Sequence, residues 1–474
     1  MSKLLITGSS GYVGSRLIRA LANTHYSLVC VSRNRKYLEN RLPKNAKAVE
    51  ADFSNDSNFS SVFSGCETAF FLIHSLSEKH EFEDIEAKTA KRFLKACEEN
   101  GIKKIIYLGG LVNDKQVNLS PHMRSRVNVG KILRSGSIPC YEFRASVILG
   151  PGSTSFELIR ALVERLPVMI TPKWVLVKAQ PIFIDTVINY LVSALNYDSK
   201  TSEVFEIGGK DTVTYKTIMD TYAKSRQLKR LMIPVPFLTP RLSSLWLGLV
   251  TPVYARVGRK LIDSITEESV VKNKRAETIF KVTPLPLEDA IKHCLKQEDA
   301  DFLLARWSDP VSSSIQFNTD KKQVFGNRII DTYSIEISKN STEPFKAVET
   351  IGGKTGWYGY EFLWQLRGWI DLLCGGIGLR RGRPNRTLQT GDALDWWRVE
   401  SFELGKRLRL KAEMKLPGRA WLDFELLDKH THYELKQTVI FDPMGLWGLV
   451  YWYSLLPFHY IIFNRMLKKI KLFS

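Results

Sequence analysis

Thr7-Gly8-Ser9-Ser10-Gly11-Tyr12-Val13-Gly14 follows a short apolar run that predicts a buried strand, and it leads into residues 12–22, which predict a helix. Gly8 permits a tight turn, Gly11 lets a phosphate approach the backbone, and Gly14 lets the helix pack closely on the strand. The helix N-terminus offers free N–H groups and a positive dipole end to an anion. The stretch therefore predicts a dinucleotide-binding turn, and a plain glycine-containing loop is the alternative.

Strand and helix patterns alternate around this turn up to about residue 145. Six runs predict strands, at residues 3–7, 28–32, 48–51, 68–74, 104–108 and 140–144. The clearest helical pattern covers residues 82–100 and is followed by Gly101, a residue suited to end a helix. This alternation predicts an α/β fold of the Rossmann type, with a doubly wound parallel sheet.

Residues at the ends of these strands are candidates for the rest of the site. Arg33 closes the second strand, where an acidic residue would favour NAD and an arginine can hold the 2′-phosphate of NADP. Asp52 and Phe53 follow the third strand, where a carboxylate and a ring can flank an adenine. Ile73 and His74 end the fourth strand, at the edge where a cofactor crosses the sheet. A solvated Arg33 and a packed His74 are the alternatives.

The predicted cofactor is therefore NADP, with NAD as the alternative, and no metal is predicted. The predicted cofactor contacts are Thr7, Gly8, Ser10, Gly11, Tyr12, Val13, Gly14, Arg33, Asp52, Phe53, Ile73 and His74.

Composition bounds the remaining choices. Hydrophobic residues make up 44% of the 474 residues, enough for large cores, and the length predicts two or three domains. A net charge of +19 suits nucleic acid, an anionic membrane or acidic ligands, but a basic surface on a cytoplasmic protein is the simplest interpretation. The six cysteines are far apart and lack histidines at ligand spacing, so neither a zinc site nor a disulfide framework is indicated. The first strand begins at once, which predicts no secretory leader.

Residues 1–300 resemble an extended, atypical short-chain dehydrogenase/reductase. The resemblance rests on the glycine stretch, on Ala51-Asp52-Phe53, and on Phe143-Arg144-Ala145-Ser146 leading to Gly150-Pro151. Within that superfamily the chain is similar to bacterial NAD(P)H-binding proteins with a C-terminal domain of unknown function, through residues 120–126 and 238–244. NmrA-like regulators and an accessory subunit of respiratory complex I belong to the same group.

The chain departs from the residues that this superfamily uses for catalysis. Catalytic members carry a serine after the fifth strand and a Tyr-x-x-x-Lys on the next helix, which pass a proton to the substrate oxygen. Here Gly110 stands about where the serine would be, and His122 and Arg126 have the Tyr/Lys spacing. Residues four apart share a helix face, so these two are predicted to act in one site as an altered proton-donor pair. A surface helix, or a binding site without catalysis, is the alternative.

Residues 146–300 are predicted to form the substrate-side extension of this first domain. Residues 204–209 predict a late strand and turn, and a final helix is predicted to end near Glu298. Residues 238–262 are apolar but broken by two prolines, which favours a helical lid or cavity wall over a membrane span.

A second, α+β domain is predicted over residues 301–474. Four segments alternate apolar and polar residues as half-buried antiparallel strands do, at residues 332–337, 407–416, 422–426 and 433–441. A helical pattern lies at residues 357–370, and a long apolar helix, residues 446–470, closes the chain. This order resembles a helix-grip (START-like) domain, which implies a pocket for a lipid-like or polycyclic ligand. An ordinary aromatic core is the alternative.

The closing helix and an arginine-rich loop allow other interpretations. Residues 445–463 are apolar enough to suggest a membrane span, but Ser454, Pro457 and His459 interrupt them. A core helix is predicted, with peripheral membrane contact through the basic residues that follow, or a true span, as alternatives. The arginines within residues 379–386 are not part of a recognised nucleic-acid module, so no nucleic-acid partner is predicted.

Three functions remain open from the sequence. The first is NADP-dependent reduction of an apolar carbonyl or enone-type substrate, with His122 positioning or protonating it and Arg126 binding cofactor or substrate. The second is an NADP(H) sensor or scaffold without turnover, and the third is a lipid-binding or membrane-surface carrier. The sequence predicts neither the identity of the substrate nor the oligomeric state.

Overall fold

The computed structural model describes residues 2–39, 42–55, 59–74, 82–112, 119–171, 173–234, 268–305, 322–325, 328–353, 355–373, 375–378, 382–384, 386–429 and 431–473. The chain divides into two compact units, one of residues 1–163 and 168–316 and the other of residues 164–167 and 317–474. The apolar segment predicted as a lid, residues 238–262, lies outside the described residues.

The first part of the chain alternates strands with helices. Its strands are β1 (Lys3–Ile6), β2 (Ser27–Ser32), β3 (Ala46–Glu50), β4 (Cys66–Phe71), β5 (Lys104–Gly110), β6 (Cys140–Ala145), β7 (Ile148–Leu149), β8 (Val168–Thr171), β9 (Lys178–Ala179), β10 (Ile182–Phe183), β11 (Glu203–Ile207), β12 (Val213–Thr214) and β13 (Leu231–Pro234). Its α-helices are α1 (Tyr12–Ala20), α2 (Arg35–Glu39), α3 (Ser60–Phe63), α4 (Phe82–Glu99), α5 (Pro121–Arg134), α6 (Thr154–Arg165), α7 (Ile184–Ser193), α8 (Tyr215–Ser225), α9 (Arg275–Phe280) and α10 (Leu287–Ala305). Short 3-10 helices span Lys173–Leu176 and Ala194–Asn196.

The central sheet of this unit has the strand order β3-β2-β1-β4-β5-β6-β11 in the described part of the chain. All its neighbouring strands are parallel. The strand order reverses between β1 and β4, and ligands of such sheets bind outside the carboxyl ends of the strands at this switch point. The Rossmann-type α/β fold predicted from the sequence is confirmed, and β11, from the segment predicted as a late strand, completes its sheet.

Apolar side chains cover both faces of the central sheet. On one face Leu5 and Ile105 belong to the same buried cluster as Phe93 of α4. Leu4 and Ile106 are buried as well, and they point to the opposite face because successive strand residues alternate. Helices α4 and α5 pack on each other, as do α1 and α7. A parallel sheet needs this double cover, which explains why its strands are apolar throughout.

Several element ends differ from those expected, those of β4 and α10 among them. Strand β4 ends at Phe71 instead of His74, because the next N–H, of Leu72, donates to the side-chain oxygen Oγ1 of Thr7 at 3.2 Å. Helix α10 continues to Ala305, beyond the end expected near Glu298.

The second unit is an antiparallel sheet with helices. Its strands are β14 (Lys322–Phe325), β15 (Arg328–Ser338), β16 (Ala393–Leu394), β17 (Trp397–Glu403), β18 (Arg407–Ala412), β19 (Gly418–Asp428) and β20 (His432–Pro443), and its helices are α11 (Lys346–Glu349), α12 (Glu361–Leu373) and α13 (Gly445–Leu472). Over the described residues the strand order is β14-β15-β20-β19-β18-β17-β16, so β15, the second strand of this sheet along the chain, pairs in its interior with β20, the last. Strand β17 was not predicted, because a register shift between Val399 and Ser401 breaks its alternation of apolar and polar residues.

The two faces of this sheet differ in chemistry. On one face Phe441 stacks on Trp452 of α13 with ring centroids 5.1 Å apart, inside an aromatic core. On the other face charged side chains pair across the strands, as Arg407 does with Asp423 at 2.9 Å. The sheet therefore needs a helix on its apolar face, which α13 supplies.

Helix α13 is, among the described residues, long and apolar enough to cross a membrane by length and composition. Only 17% of the most apolar stretch of this helix is buried. One stripe along the helix, which includes Trp452 and Met466, is buried in the core of the second unit. Length and composition are weak grounds for a span, because core helices meet the same criteria.

Candidate functional site

The glycine turn connects β1 to α1 and packs against the carboxyl end of β4, at the switch point of the sheet. Gly8 has φ +65°, and a Cβ atom there would lie 2.4 Å from the carbonyl oxygen of Leu72. A Cβ on Gly14 would lie 2.3 Å from the carbonyl oxygen of Gly8. Neither approach tolerates a side chain, so both positions require glycine for this backbone to exist. Gly11 is exposed on the outside of the turn, and its N–H donates to Gly8 O at 2.9 Å.

The hydroxyl of Thr7 stabilises this turn through two hydrogen bonds to the end of β4. Its buried hydroxyl donates to Phe70 O at 2.9 Å and accepts from Leu72 N at 3.2 Å. The side chain is thus engaged inside the protein, and Thr7 is wholly buried behind the turn. Ser10 and Val13 are half-buried beside it.

Tyr12 connects helix α1 to the loop that follows β7. A Cβ on Gly150 would lie 2.2 Å from the phenolic oxygen of Tyr12, so the phenol occupies the space beside that glycine. The guanidinium of Arg16 lies 4.9 Å from the centre of the Tyr12 ring and donates to Pro151 O at 2.9 Å. The helix of the glycine turn is therefore held against the start of the predicted substrate-side extension.

Arg33 and Asp52 lie at the carboxyl edge of the sheet as predicted from their strand positions. Arg33 is exposed and directly follows β2. Asp52 is half-buried, and its Oδ1 accepts from Ser54 N at 2.9 Å in a tight turn. Both side chains remain predicted cofactor contacts.

The ring of Phe53 does not lie where the sequence suggested. It is 1% exposed and packs in the core, with its centroid 4.5 Å from Phe59 and 5.5 Å from Phe93 of α4. The aromatic residues of α3 and α4 draw the ring inward, so it is not at the surface to flank an adenine. This corrects the expectation for Phe53, whose ring is not available to a cofactor.

His74, His122 and Arg126 come together at the same edge of the sheet, and we call these three side chains the histidine–arginine cluster. Nε of Arg126 donates to Nε2 of His122 at 3.2 Å, and Nη1 of Arg126 lies 3.2 Å from Nε2 of His74. All three residues are half-buried. His74 is two residues beyond Leu72, whose carbonyl faces Gly8, so the cluster adjoins the glycine turn.

The chemistry of arginine fixes the proton positions in this cluster. A guanidinium carries only donors, so each Nε2 atom that it contacts must accept and carries no proton there. Burial, followed by the positive charge of Arg126, holds the pKa of His74 well below its ordinary value. His74 is therefore neutral near pH 7, and the cluster presents one permanent positive charge on Arg126.

That charge is not neutralised locally. Within the described residues, the hydrogen-bond partners of the Arg126 guanidinium are the two imidazoles, and no carboxylate lies at ion-pair distance from it. A half-buried cation with neutral neighbours attracts an anionic or strongly polarised oxygen. Arg126 is thus the group of the cluster best suited to bind such an oxygen.

A methionine side chain fills the space beside Gly110, the position where the resemblance implied a serine. A Cβ on Gly110 would lie 2.8 Å from Cε of Met123 and 3.3 Å from Cδ of Arg126. The space beside Gly110 is therefore occupied by side chains of helix α5. Nothing in the sequence indicates that the side chain of Met123 lies beside Gly110, so this contact was not predicted.

Helix α5 is positioned by contacts at both ends. Ser120 caps its first turn by accepting from Met123 N, and Pro121 suits the first helical position. The hydroxyl of Ser125 donates to the buried Glu86 of α4. At the other end Arg134 pairs with the buried Glu142 of β6 at 2.7 Å.

Tyr107 adds a further anchor that the sequence did not reveal. It lies in β5 and is fully buried, and its phenol donates to the backbone oxygen of Arg126 at 3.1 Å. Burial raises the pKa of Tyr107, so the phenol keeps its proton. It supports the turn of α5 that carries Arg126.

Two family models match the chain. Residues 8–135 match a family described as NAD(P)H-binding, and residues 326–466 match one described as a protein of unknown function, DUF2867. The first unit therefore carries an NAD(P)H-binding domain of the Rossmann type, and the second carries a DUF2867 domain. No curated protein matches the chain.

Solved structures share the fold of the first unit. Triphenylmethane reductase from Citrobacter sp. is 16% identical with a TM-score of 0.52, over 62% of this chain and 100% of that chain. The same reductase complexed with NADP(H) is 15% identical with a TM-score of 0.52, over 61% and 99%. A UDP-glucose 4-epimerase from Thermotoga maritima, with UDP-glucose, is 15% identical with a TM-score of 0.50, over 64% and 99%. At these identities the likeness shows the fold alone.

Proposed function

We propose that this chain is an NADP(H)-dependent reductase of an apolar carbonyl or enone-type substrate. The observation that carries the proposal is the Arg126 guanidinium, fixed between two neutral imidazole nitrogens at the edge of the sheet beside the glycine turn. Reduction of a carbonyl or enone places negative charge on the substrate oxygen. A preorganised cation aimed at that oxygen is among the most effective ways to lower such a barrier.

The residues present suit a dinucleotide. Gly11 is exposed on the outside of the glycine turn, and α1 begins directly behind it. Arg33 is exposed at the strand end where a 2′-phosphate is bound in this fold, which supports NADP over NAD. When bound, the cofactor supplies a hydride.

His122 and Arg126 divide the remaining work in this proposal. Arg126 binds the substrate oxygen, and its permanent charge stabilises the oxyanion without moving a proton. His122 accepts a hydrogen bond from Arg126 through Nε2 and so keeps the guanidinium plane in place. The proton that completes the reduction then comes from water, because both imidazoles are neutral and a neutral imidazole does not give up its remaining proton near pH 7.

The second unit is proposed to be a helix-grip domain that holds an apolar ligand. Its support is the strand order together with α13, which packs on β15 and β20. A surface depression of about 420 Å³ lies beside Tyr333, Leu456, Pro457, Tyr460 and Ile461. The reductase of similar fold that acts, by its name, on a triphenylmethane supports an apolar substrate for the first unit.

A second candidate function is an NADP(H) sensor without turnover. One observation favours it: Arg126 donates to both imidazoles, so neither Nε2 atom holds a proton that a substrate could receive. In this function the cluster would sense the redox state of the bound nucleotide.

Titration of the purified chain with NADPH and NADH, followed by nucleotide fluorescence, tests cofactor binding. NADPH consumption is then measured with quinones, enones and aromatic ketones. Binding with turnover that Arg126→Met abolishes supports the reductase. Nucleotide binding without turnover of any of these substrates supports the sensor function. If the chain binds neither nucleotide, both proposed functions are overturned.

A further inference from the structure

Helices α12 and α13 of the second unit each bury one stripe of side chains and expose another that is also apolar. On α12, Phe362 and Trp369 are each 68% exposed and Leu373 is 85% exposed. On α13, Trp447 is 78% exposed and Tyr453 is 60% exposed. Large aromatic side chains at this exposure are unusual on a protein surface and mark an interaction site when they are contiguous.

The ends of the two helices that carry these stripes border one loop. Asp371 Oδ1 of α12 accepts from Lys415 N at 2.6 Å, and Arg367 Nη2 donates to Lys415 O at 2.9 Å. Two residues on, Pro417 O accepts from Met444 N, next to the start of α13, at 2.9 Å. The carboxyl end of α12 and the amino end of α13 therefore border the same loop. We call Phe362, Trp369, Leu373, Trp447, Tyr453 and Phe458 together the aromatic face.

The charges along α13 are of one sign. Its last third carries Arg465, Lys468, Lys469 and Lys471, all exposed, and the helix contains no acidic residue. Lys415, in the loop between the helices, is exposed as well. An apolar aromatic surface edged by basic residues complements a surface that is apolar inside and anionic outside.

We propose that the aromatic face binds the surface of an anionic lipid bilayer. Tryptophan and tyrosine suit the headgroup level, since each has an apolar body and a polar tip, and the basic end of α13 contacts anionic headgroups. The helix lies on the bilayer and does not cross it, because Trp452, Met466 and Ile470 on its other stripe are buried in the core of the unit. Dimerisation through this face is disfavoured, because both copies would bring the same basic residues together.

Co-sedimentation of the full chain with vesicles tests this proposal. Phosphatidylcholine vesicles are compared with vesicles that also contain phosphatidylglycerol, at low and high salt. The wild type is expected to sediment with the anionic vesicles and to be released by salt. The double variant Trp369→Ser/Trp447→Ser is expected to bind on the order of tenfold more weakly, because two aromatic anchors are lost. Lys468→Glu/Lys469→Glu is expected to lose its preference for anionic lipid.

Leu404→Ser is the matched control, since Leu404 is 68% exposed in the same unit but belongs to neither helix. It should bind as the wild type does, and NADPH binding should be unchanged in every variant. Sedimentation of the tryptophan double variant equal to that of the wild type overturns the proposal. So does a concentration-dependent dimer that the same variant abolishes, because the face then belongs to a second copy.

Discussion

Arg126 and His74 are in contact, with Nη1 of the arginine 3.2 Å from Nε2 of the histidine, although 52 positions separate them along the chain. The contact joins helix α5 to the carboxyl end of β4, next to the glycine turn. It places a permanent positive charge against a histidine that burial already keeps neutral. The charge of the site is therefore set by the arginine alone near pH 7.

Replacing Arg126 by methionine is expected to lower kcat/KM for NADPH-dependent reduction by about 10²–10³, the scale for loss of a group that stabilises an oxyanion. The same variant should raise the pKa of His74, because the positive charge that opposes its protonation is gone. Steady-state kinetics measure the first effect and an NMR titration of the imidazoles measures the second.

Arg124→Met is the control for that variant. Arg124 is on the same helix two residues earlier, exposed, and paired with Glu83 at 3.0 Å. Its replacement should leave both readouts near the wild type. An equal loss of activity in both variants would contradict a specific role for Arg126.

Substitution of Gly14 by alanine is expected to prevent cofactor binding and to destabilise the first unit. The new Cβ would lie 2.3 Å from Gly8 O, so the turn or the helix must shift. Overpacking of this kind costs about 1–3 kcal/mol. Ser15→Ala, at the next and exposed position of α1, should have little effect on either property. Thermal unfolding and NADPH titration measure the two, and unchanged NADPH affinity in Gly14→Ala would count against the turn as the phosphate site.

Arg33→Asp is expected to reverse the nucleotide preference from NADPH to NADH. A carboxylate at this strand end can accept from ribose hydroxyls and repels a 2′-phosphate, whereas arginine binds that phosphate. The NADPH affinity should fall by roughly 10–100-fold, the loss of about 1.4–3 kcal/mol of charged hydrogen bonding. Lys95→Ala, an exposed cation on α4, serves as the control. The affinity ratio of the two nucleotides decides the outcome, and a ratio unaffected by Arg33→Asp would refute the assignment.

The stability of the second unit is expected to fall as the pH drops from about 6.5 to about 4. Burial lowers the pKa of His459 to about 4, from an ordinary value of 6.5. In that interval the unfolded chain takes up a proton at His459 and the folded chain does not, so stability decreases by at most about 1.4 kcal/mol per pH unit. Below about pH 4 both states are protonated there and this loss stops.

Urea unfolding followed by tryptophan fluorescence measures this dependence, because most of the 11 tryptophans lie in the second unit. His459→Gln should remove the part of the slope that His459 contributes. His432→Gln, at the start of β20, should retain it. A slope that is the same in His459→Gln and in the wild type would refute the assignment.

The glycine turn could be predicted because its requirements are local. Gly8 and Gly14 belong to the turn and to the start of the helix that follows β1. Their spacing in the sequence is enough to predict that the strand and the helix approach each other closely there. The same holds for Arg33, whose strand position follows from the chain order. The shared helix face of His122 and Arg126 was likewise predictable from a spacing of four.

The contact of Arg126 with His74 could not be predicted, because it depends on which strands are neighbours and on how α5 is rotated. Phe53 shows the same limit: its sequence position marks a strand end, but the aromatic residues of α3 and α4 decide that the ring turns inward. Met123 is a third case, since its place beside Gly110 is a matter of packing between two elements.

The pairing of β15 with β20 has a consequence for synthesis of the protein. The register runs from Ile329 opposite Phe441 to Ser338 opposite His432, so an early strand of the second unit finds its partner only in the last one. On a ribosome, β15 emerges well before the residues that complete it, and until then its backbone edge is open to other chains. A nascent chain arrested before His432 therefore retains an exposed edge on β15. Truncation from the carboxyl end likewise removes the strand that pairs with β15, near the start of the second unit.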